Sequence, residues 1–287
     1  MSLCFFVSDL HGHIDRYQKL FAAIIQEKPT EVFFGGDLLP SKPIYFGGKQ
    51  KPKKYFIKDY LTPKFQNLKA QLEENYPRVF LILGNDDGRG EEDKFFEGML
   101  KGLWEYIHSS QVHFDQFTVY GYAYVPPTPF MVKDWERYDV SRFVDPGCIA
   151  PNDGWFSYNP REDEINFSTI QEDLQQLVRD DDLSRAIFLF HSPPYQTSLD
   201  RAGLDGEMID RAPVDVHVGS IAIKRFIEKR QPLLTLHGHI HESTRITGSW
   251  KDQIGKTHCF SAAHDGIELA LIRFDPNNLE NATRDLL

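Results

Sequence analysis

Seven side chains able to bind a metal ion follow short apolar runs of the sequence. They are Asp9, His11, Asp37, Asn85, His191, His239 and His241. Each run is typical of a buried strand, and in α/β sheets ligands bind beyond the carboxyl ends of the strands. Five strand ends would therefore deliver carboxylate, imidazole and carboxamide groups to one edge of the fold. The set predicts a dinuclear metal site.

The spacing within the set supports this interpretation. Asp9 and His11 are two residues apart, as are His239 and His241, and in an extended chain such side chains point the same way. A single D-x-H or H-x-H motif is weak, because most histidines are not ligands. Mixed nitrogen and oxygen donors without sulfur favour two divalent or trivalent transition metal ions (Mn, Fe, Zn or Ni) over a site for Mg or Ca alone.

Short apolar runs alternate with stretches of helical periodicity along the chain. The runs predict buried strands at 3–7, 32–34, 79–83, 186–190 and 233–236. Strand, polar turn, helix and strand in this order indicate a layered α/β domain. We predict a single domain over residues 1–287, with insertions at about 40–60 and 126–166.

Each insertion allows two interpretations. Residues 40–60 hold six lysines, which form either an anion-attracting rim beside Asp37 or a solvated loop. Residues 126–166 are rich in proline and aromatic residues without a clear period. They form either a wall for an apolar leaving group or a separate hydrophobic cluster under a long loop.

The composition limits the partners of the protein. Its 287 residues include 32 basic and 42 acidic ones, and the formal net charge of −10 disfavours nucleic-acid binding. Three widely spaced cysteines argue against a disulfide framework and suit a reducing compartment. No apolar stretch approaches the ~20 residues of a membrane helix, and the start of the chain lacks the basic region of a signal peptide. We predict a cytoplasmic protein with a small-molecule substrate and no membrane partner.

The ordered motifs resemble those of the calcineurin-like metallophosphoesterase superfamily, which read D-x-H, GD, GN(H/C/N)(D/E), H and GHxH. The corresponding residues are Asp9-Leu10-His11, Gly36-Asp37, Gly84-Asn85-Asp86-Asp87, His191 and Gly238-His239-Ile240-His241. The match covers residues 4–241. The segments FHSPPY, HVGS and HGHIHES also resemble the Icc-related branch of small bacterial and archaeal phosphoesterases. The resemblance implies a four-layer α-β-β-α sandwich of two mixed sheets.

The resemblance also implies a role for each residue of the set. The ligands of one metal would be Asp9, His11 and His241, and those of the other Asn85, His191 and His239. Asp37 would bridge both metals. The two cations would share a hydroxide that attacks the phosphorus of a small phosphate ester.

One departure from the family pattern concerns the proton donor. The family often has His after the motif Asn, whereas this chain has Asp86. A carboxylate beside two cations should be ionised and is a poor proton donor. The site would then favour phosphodiesters whose leaving groups need little protonation, or would use another acid. The candidate catalytic residues are Asp86, Asp87, His13 and His217.

A second hypothesis is a metal-binding scaffold of the same fold with little or no catalysis. The intact ligand set argues against it. A protein Ser/Thr phosphatase fits less well, because that branch reads GDxVDRG and GNHE where this chain reads GGDLLP and GNDD. A nuclease fits the acidic balance poorly.

Overall fold

Two six-stranded sheets form the centre of the computed structural model, which describes residues 2–41 and 55–287. The first sheet contains, from edge to edge, β14 (Asn278–Leu286), β13 (Ala270–Asp275), β1 (Cys4–Val7), β2 (Glu31–Gly35), β3 (Arg78–Ile82) and β4 (Glu105–Tyr106). Strands β1 to β4 are parallel, whereas β13 is antiparallel to both β1 and β14. The sheet is therefore mixed, with its parallel strands in sequence order.

The second sheet is mixed in the same way. It contains β11 (Lys251–Ile254), β12 (Thr257–Ser261), β10 (Leu234–His237), β7 (Ala186–Phe190), β6 (Phe117–Tyr122) and β5 (Ser110–Phe114). Its four central strands are parallel, and an antiparallel strand closes each edge. A separate ribbon pairs β8 (Met208–Ile209) with β9 (Ala212–Pro213).

Seven α-helices lie within the described part of the chain. They are α1 (Ile14–Glu27), α2 (Thr62–Leu72), α3 (Glu92–Leu100), α4 (Glu162–Phe167), α5 (Ile170–Val178), α6 (Ile221–Arg230) and α7 (Ser243–Thr247). One π-helical segment (Ile57–Leu61) and three 3-10 turns (Glu73–Asn75, Arg89–Glu91 and Pro151–Asp153) complete the helical elements. None of these helices has the length and hydrophobicity needed to cross a bilayer.

Neighbouring phenylalanines on β2 show how the layers stack. Phe33 and Phe34 point to opposite faces of the sheet, as successive strand residues must. The Phe33 ring lies 6.3 Å from that of Phe114 on the second sheet, whereas the Phe34 ring lies 5.9 Å from that of Phe65 on α2. On the other side, Phe188 of β7 packs against Phe226 of α6. The predicted four-layer sandwich of two mixed sheets is confirmed.

The five strands predicted from apolar runs differ from the observed ones by no more than one residue at either end. The strand residues of β1, β2 and β7 are buried throughout. Such runs are reliable because a strand covered on both faces is apolar at every position. That the whole chain is a single domain stays a prediction.

The predicted insertions have different outcomes. Most of the 40–60 segment, residues 42–54, lies outside the described residues. Its end was predicted as loop, and this is wrong, because Ile57–Leu61 is helical and leads directly into α2. The apolar side chains of Ile57, Tyr60 and Leu61 are buried there, so tertiary packing stabilises the segment.

The irregular 126–166 segment encloses an ion pair that is shielded from solvent. Lys133 Nζ lies 2.6 Å from Glu136 Oε2, and the two side chains are 0% and 1% exposed. Thr128 donates its hydroxyl and its backbone N–H to the same carboxylate, and its carbonyl accepts from Lys133. Burial raises the pKa of Glu136 to about 7, although the Lys133 charge acts in the opposite direction. These contacts satisfy the buried charges, which would otherwise be very costly.

Candidate metal centre

The seven predicted ligands follow the carboxyl ends of five parallel strands, three in the first sheet and two in the second. Asp9 and His11 follow β1, Asp37 follows β2, Asn85 follows β3, His191 follows β7, and His239 and His241 follow β10. The first four therefore come from one sheet and the last three from the other. The two sheets meet at this edge, and contacts between the side chains join the two groups.

The sequence interpretation assumes an extended backbone at this edge, but the structure shows left-handed turns. Asp9, His11, Asp37 and His239 have φ values of 56°, 45°, 52° and 75°. This left-handed region is unfavourable for residues with a side chain and is concentrated at functional sites. The side chains therefore converge through tight turns, and the argument from two-residue spacing in extended chain is wrong.

One group of donors surrounds a point between Asp9, His11 and His241. His241 Nε2 lies 3.2 Å from Asp9 Oδ1 and 3.1 Å from His11 Nε2. Donor atoms of these three residues and of Asp37 all lie within 4.8 Å of one another. The Asp9 carboxylate also accepts the backbone N–H of His239 at 3.0 Å, which holds the β1 and β10 turns together.

A second group lies around His191. Its Nε2 is 3.0 Å from Asn85 Oδ1 and 3.3 Å from Asp37 Oδ2. The same Asp37 oxygen is 3.9 Å from His11 Nε2, so this carboxylate lies between the two groups. The Nδ1 of His191 lies 2.7 Å from the Gly35 carbonyl, which can only accept, and Nε2 is thereby left to bind a cation.

The chemistry of this donor set fits bound metal cations. Asp9 and Asp37 are buried, and within residues 2–41 and 55–287 neither carboxylate pairs with a lysine or arginine. The His239 imidazole lies against that of His191, with ring centroids 5.2 Å apart, and its nitrogens have no hydrogen-bond partner in the described chain. Buried anions and an unpartnered imidazole are the donors that a metal would satisfy.

The electrostatics of the centre are those of anions balanced by protons. Burial alone would lower the pKa of His191, but the Asp37 carboxylate raises it to about 9. Burial alone would also lower the pKa of His241, but the hydrogen bond to Asp9 raises it to about 9. The pKa of His239 falls to about 3, because of burial and then the charge of His191. Metal binding would displace the protons on His191 and His241, because imidazole binds metals in its neutral form.

Asp86 and Asp87 differ in what they contact. Asp86 donates its backbone N–H to Asp37 Oδ1 at 2.8 Å, and its carboxylate lies 3.5 Å from His11 Nδ1. Burial, followed by the charge of Asp37, raises the pKa of Asp86. The Asp87 carboxylate is fully buried and accepts three backbone N–H groups, from Leu38, Leu39 and Gly84. Asp87 therefore ties the turn that carries Asp37 to the turn that carries Asn85, a position that suits support of the ligands and not contact with a substrate.

Gly84 lies where a larger residue would displace the ligands. A Cβ added there would be 2.3 Å from Asp37 Oδ1 and 2.6 Å from His191 Cε1. We expect Gly84→Ala to weaken metal retention by about 10–100-fold, the range seen when groups that orient metal ligands are disturbed. Metal content per chain after dialysis against a graded chelator measures this. Gly203→Ala is the control, because its nearest atoms are 3.9 Å away. Equal retention by both variants would contradict the assigned geometry.

A cavity of about 360 Å³ opens beside the first donor group. Among the described residues its lining includes His11, His241, Asp86, His13, Arg16 and His264. His13 is thus near the centre, and its catalytic role stays a prediction. His217 is not part of this lining; its Nδ1 lies 2.8 Å from Asp200 Oδ1, and its ring packs on Tyr195. Sequence reasoning assigns His264 no role, because it belongs to none of the matched motifs.

Comparisons with known proteins agree with this geometry. A model of the calcineurin-like phosphoesterase family matches residues 4–243. A search of curated proteins gives no significant match. One crystal structure aligns with 99% of this chain and 98% of its own, at 14% identity and a TM-score of 0.57. The crystal structure of TT1561 of Thermus thermophilus aligns with 99% of this chain and 98% of its own, at 13% identity and a TM-score of 0.54.

A third solved structure, described as a novel archaeal phosphodiesterase, aligns over 99% of both chains at 11% identity and a TM-score of 0.43. That score is too low for the likeness to bear on fold or substrate. The two higher scores, at 14% and 13% identity, show a shared fold and nothing of the chemistry. The family match is the finding that bears on function.

Proposed function

The chain belongs to the calcineurin-like phosphoesterase family, whose members are metal-dependent hydrolases, and from that premise we propose that it is a dinuclear phosphoesterase for small phosphate esters. One observation carries the dinuclear part of the proposal. Asp37 Oδ2 lies between His191 Nε2 at 3.3 Å and His11 Nε2 at 3.9 Å, so a single carboxylate can serve two cations. A lone metal would need only one of these donor groups.

The seven residues divide between the two ions as their contacts suggest. Asp9, His11 and His241 would hold one ion, Asn85, His191 and His239 would hold the other, and Asp37 would contribute to both. Imidazole, carboxylate and carboxamide donors favour Mn, Fe, Zn or Ni. When bound, the two ions would neutralise the phosphoryl oxygens and acidify a water for attack on phosphorus.

The cavity supports a small substrate. Its volume of about 360 Å³ is at the low end of ligand pockets and suits a phosphate with a modest organic group. The net charge of −10 makes a polynucleotide a poor partner. All three cysteines are free, which supports action in a reducing compartment such as the cytoplasm.

Phosphodiesters are the preferred substrates in this proposal. The Asp86 carboxylate lines the cavity and would repel the additional charge of a phosphomonoester dianion. We expect the metal-reconstituted protein to show kcat/KM at least about 10-fold higher for bis(4-nitrophenyl) phosphate than for 4-nitrophenyl phosphate, about 1.4 kcal/mol. Initial rates over a pH series, with metal content determined in the same sample, provide the measurement.

The same assay separates the alternatives. A clear preference for the monoester would contradict the diester preference and leave the phosphoesterase proposal in place. Two bound metals per chain without turnover of either ester would instead favour the non-catalytic scaffold. Asp86→Asn provides an internal check, because removing this charge should reduce the difference in kcat/KM between the diester and the monoester.

A further inference from the structure

The cavity beside the metal centre has one wall that the sequence motifs do not include. This wall is the segment 262–268, which follows β12 and carries His264. His264 Nε2 lies 3.0 Å from Glu268 Oε2, and the side chain of His264 is only 16% exposed. Because an ionised carboxylate can only accept, this contact holds the hydrogen on Nε2 and leaves Nδ1 free. The imidazole therefore has a defined orientation and one available nitrogen.

Two arginine side chains hold this wall in place. Arg16 Nη2 donates to the Gly266 carbonyl at 2.5 Å, and Arg284 Nη2 donates to the Ala263 carbonyl at 3.0 Å. Arg16 also donates to the backbone carbonyl of Asp9 at 2.6 Å, which connects the wall directly to a predicted metal ligand. The position of His264 relative to the metal centre is thus determined by contacts on both sides of it.

Gly266 brings the wall close to the imidazole. A Cβ added at Gly266 would lie 2.4 Å from His264 Nε2 and 2.3 Å from Glu268 Oε2. The histidine and glutamate therefore pack directly over the glycine, where no other residue would leave space for both. This packing restricts the imidazole to the orientation that the Glu268 contact requires.

The other acids near the cavity are poorly suited to give a proton to a leaving group. The Asp86 carboxylate lies 3.5 Å from His11 Nδ1 and accepts a hydrogen bond from Ser41 Oγ at 3.2 Å, so it is already engaged by neighbouring residues. His13 is exposed, and its imidazole has no hydrogen-bond partner among the described residues, so no contact of that kind fixes its orientation. His217 lies outside the cavity lining and contacts Asp200. Because His11 and His241 are assigned to a metal, His264 is the remaining imidazole on the lining among the described residues.

We propose that His264 is the general acid of the reaction, held by Glu268 and protonating the leaving-group oxygen from Nδ1. This role rests on the proposed phosphoesterase function. As the attacking water oxygen bonds to phosphorus, the bond to the leaving oxygen breaks and its electron pair stays on that oxygen. The oxygen takes the Nδ1 proton, and the neutral imidazole keeps its Nε2–H on Glu268. The attacking water loses a proton to solvent, and solvent then reprotonates Nδ1, so atoms and charge balance.

Removing a general acid lowers the rate more for a leaving group that needs a proton than for one that does not. We compare full-length, metal-reconstituted wild type and His264→Gln on 4-nitrophenyl and methyl esters of the same phosphoryl group. The nitrophenolate needs no proton to leave, whereas the alkoxide does. We expect kcat of the variant to fall by about 10²-fold or more on the methyl ester and by less than about 3-fold on the nitrophenyl ester.

Matched variants separate chemistry from packing. His258→Gln is the control, because this histidine also faces a glutamate, with its Nε2 3.9 Å from Glu280 Oε1, and is absent from the cavity lining. It should leave the rates on both esters unchanged. Glu268→Gln should give a smaller loss than His264→Gln, again on the methyl ester alone, and it carries the test should His264→Gln fail to fold. Metal content and melting temperature are measured for each variant.

Three outcomes would overturn the assignment of His264. The first is an equal loss on both esters, which indicates a structural role. The second is no loss on either ester. The third is a leaving-group-dependent loss in His13→Gln or His217→Gln instead. Wild-type protein that hydrolyses neither ester, despite bound metal, would overturn the phosphoesterase proposal itself and is thereby distinguishable.

Discussion

Asp9→Ala combined with Asp37→Asn is expected to lower kcat/KM by at least about 10³-fold, which corresponds to about 4 kcal/mol of transition-state stabilisation. The double variant removes one carboxylate from the first donor group and the charge of the carboxylate shared by both groups. Without them, His191 and His241 lose the anions that raise their pKa values. The remaining nitrogen and amide donors would bind two cations poorly, so both the metals and the charge compensation at phosphorus would be lost.

Elemental analysis and steady-state kinetics on the same preparation test this expectation. Wild type should retain two transition metals per chain after gel filtration, and the double variant fewer than one. Asp252→Asn serves as a matched control, because this carboxylate accepts the Ser198 N–H at 2.8 Å and has no contact with the described ligands. Activity that survives in the double variant would refute the metal-dependent mechanism.

Lys133→Met is expected to reduce the free energy of unfolding by about 3–5 kcal/mol, the usual effect of leaving one member of a buried ion pair without its partner. The Glu136 carboxylate would remain enclosed, with the Thr128 hydroxyl and N–H as its only described donors. Urea denaturation followed by circular dichroism gives the change, provided that unfolding is reversible.

Two further variants define the origin of that loss. Lys133→Met with Glu136→Gln removes both charges while keeping an acceptor for Thr128, and it should recover stability to within about 2 kcal/mol of wild type. Lys94→Met breaks the more exposed pair with Glu91 and should cost less than about 1 kcal/mol. A Lys133→Met variant as stable as Lys94→Met would mean that the burial of the pair has no energetic consequence.

The parts of the fold that the sequence predicts well are those with a strong local signal. The strands at Cys4–Val7 and Ala186–Phe190 are short apolar runs with polar residues immediately after them. A buried strand needs no information from distant residues to be recognised, because burial on both faces makes every position apolar. The order of the motifs at their ends then predicts which side chains meet.

The remainder depends on contacts between residues distant in sequence. The left-handed turns at Asp9 and Asp37 have no pattern of residue types that announces them, since residues with a side chain rarely adopt them. The place of His264 follows from Arg16, 248 residues earlier in the chain, which holds the segment through Gly266. Ile57–Leu61 is helical because it packs against the core, although the preceding residues are rich in lysine, proline and glycine.

Because the donor residues are divided between the two sheets, the proposed metal ions would also link the sheets to each other. Each ion would be coordinated by residues from both sheets. A displacement of one sheet relative to the other would therefore disturb the coordination of both ions at once. Aromatic contacts between the sheets, such as Phe33 on Phe114, would thereby contribute to the alignment of the reacting groups.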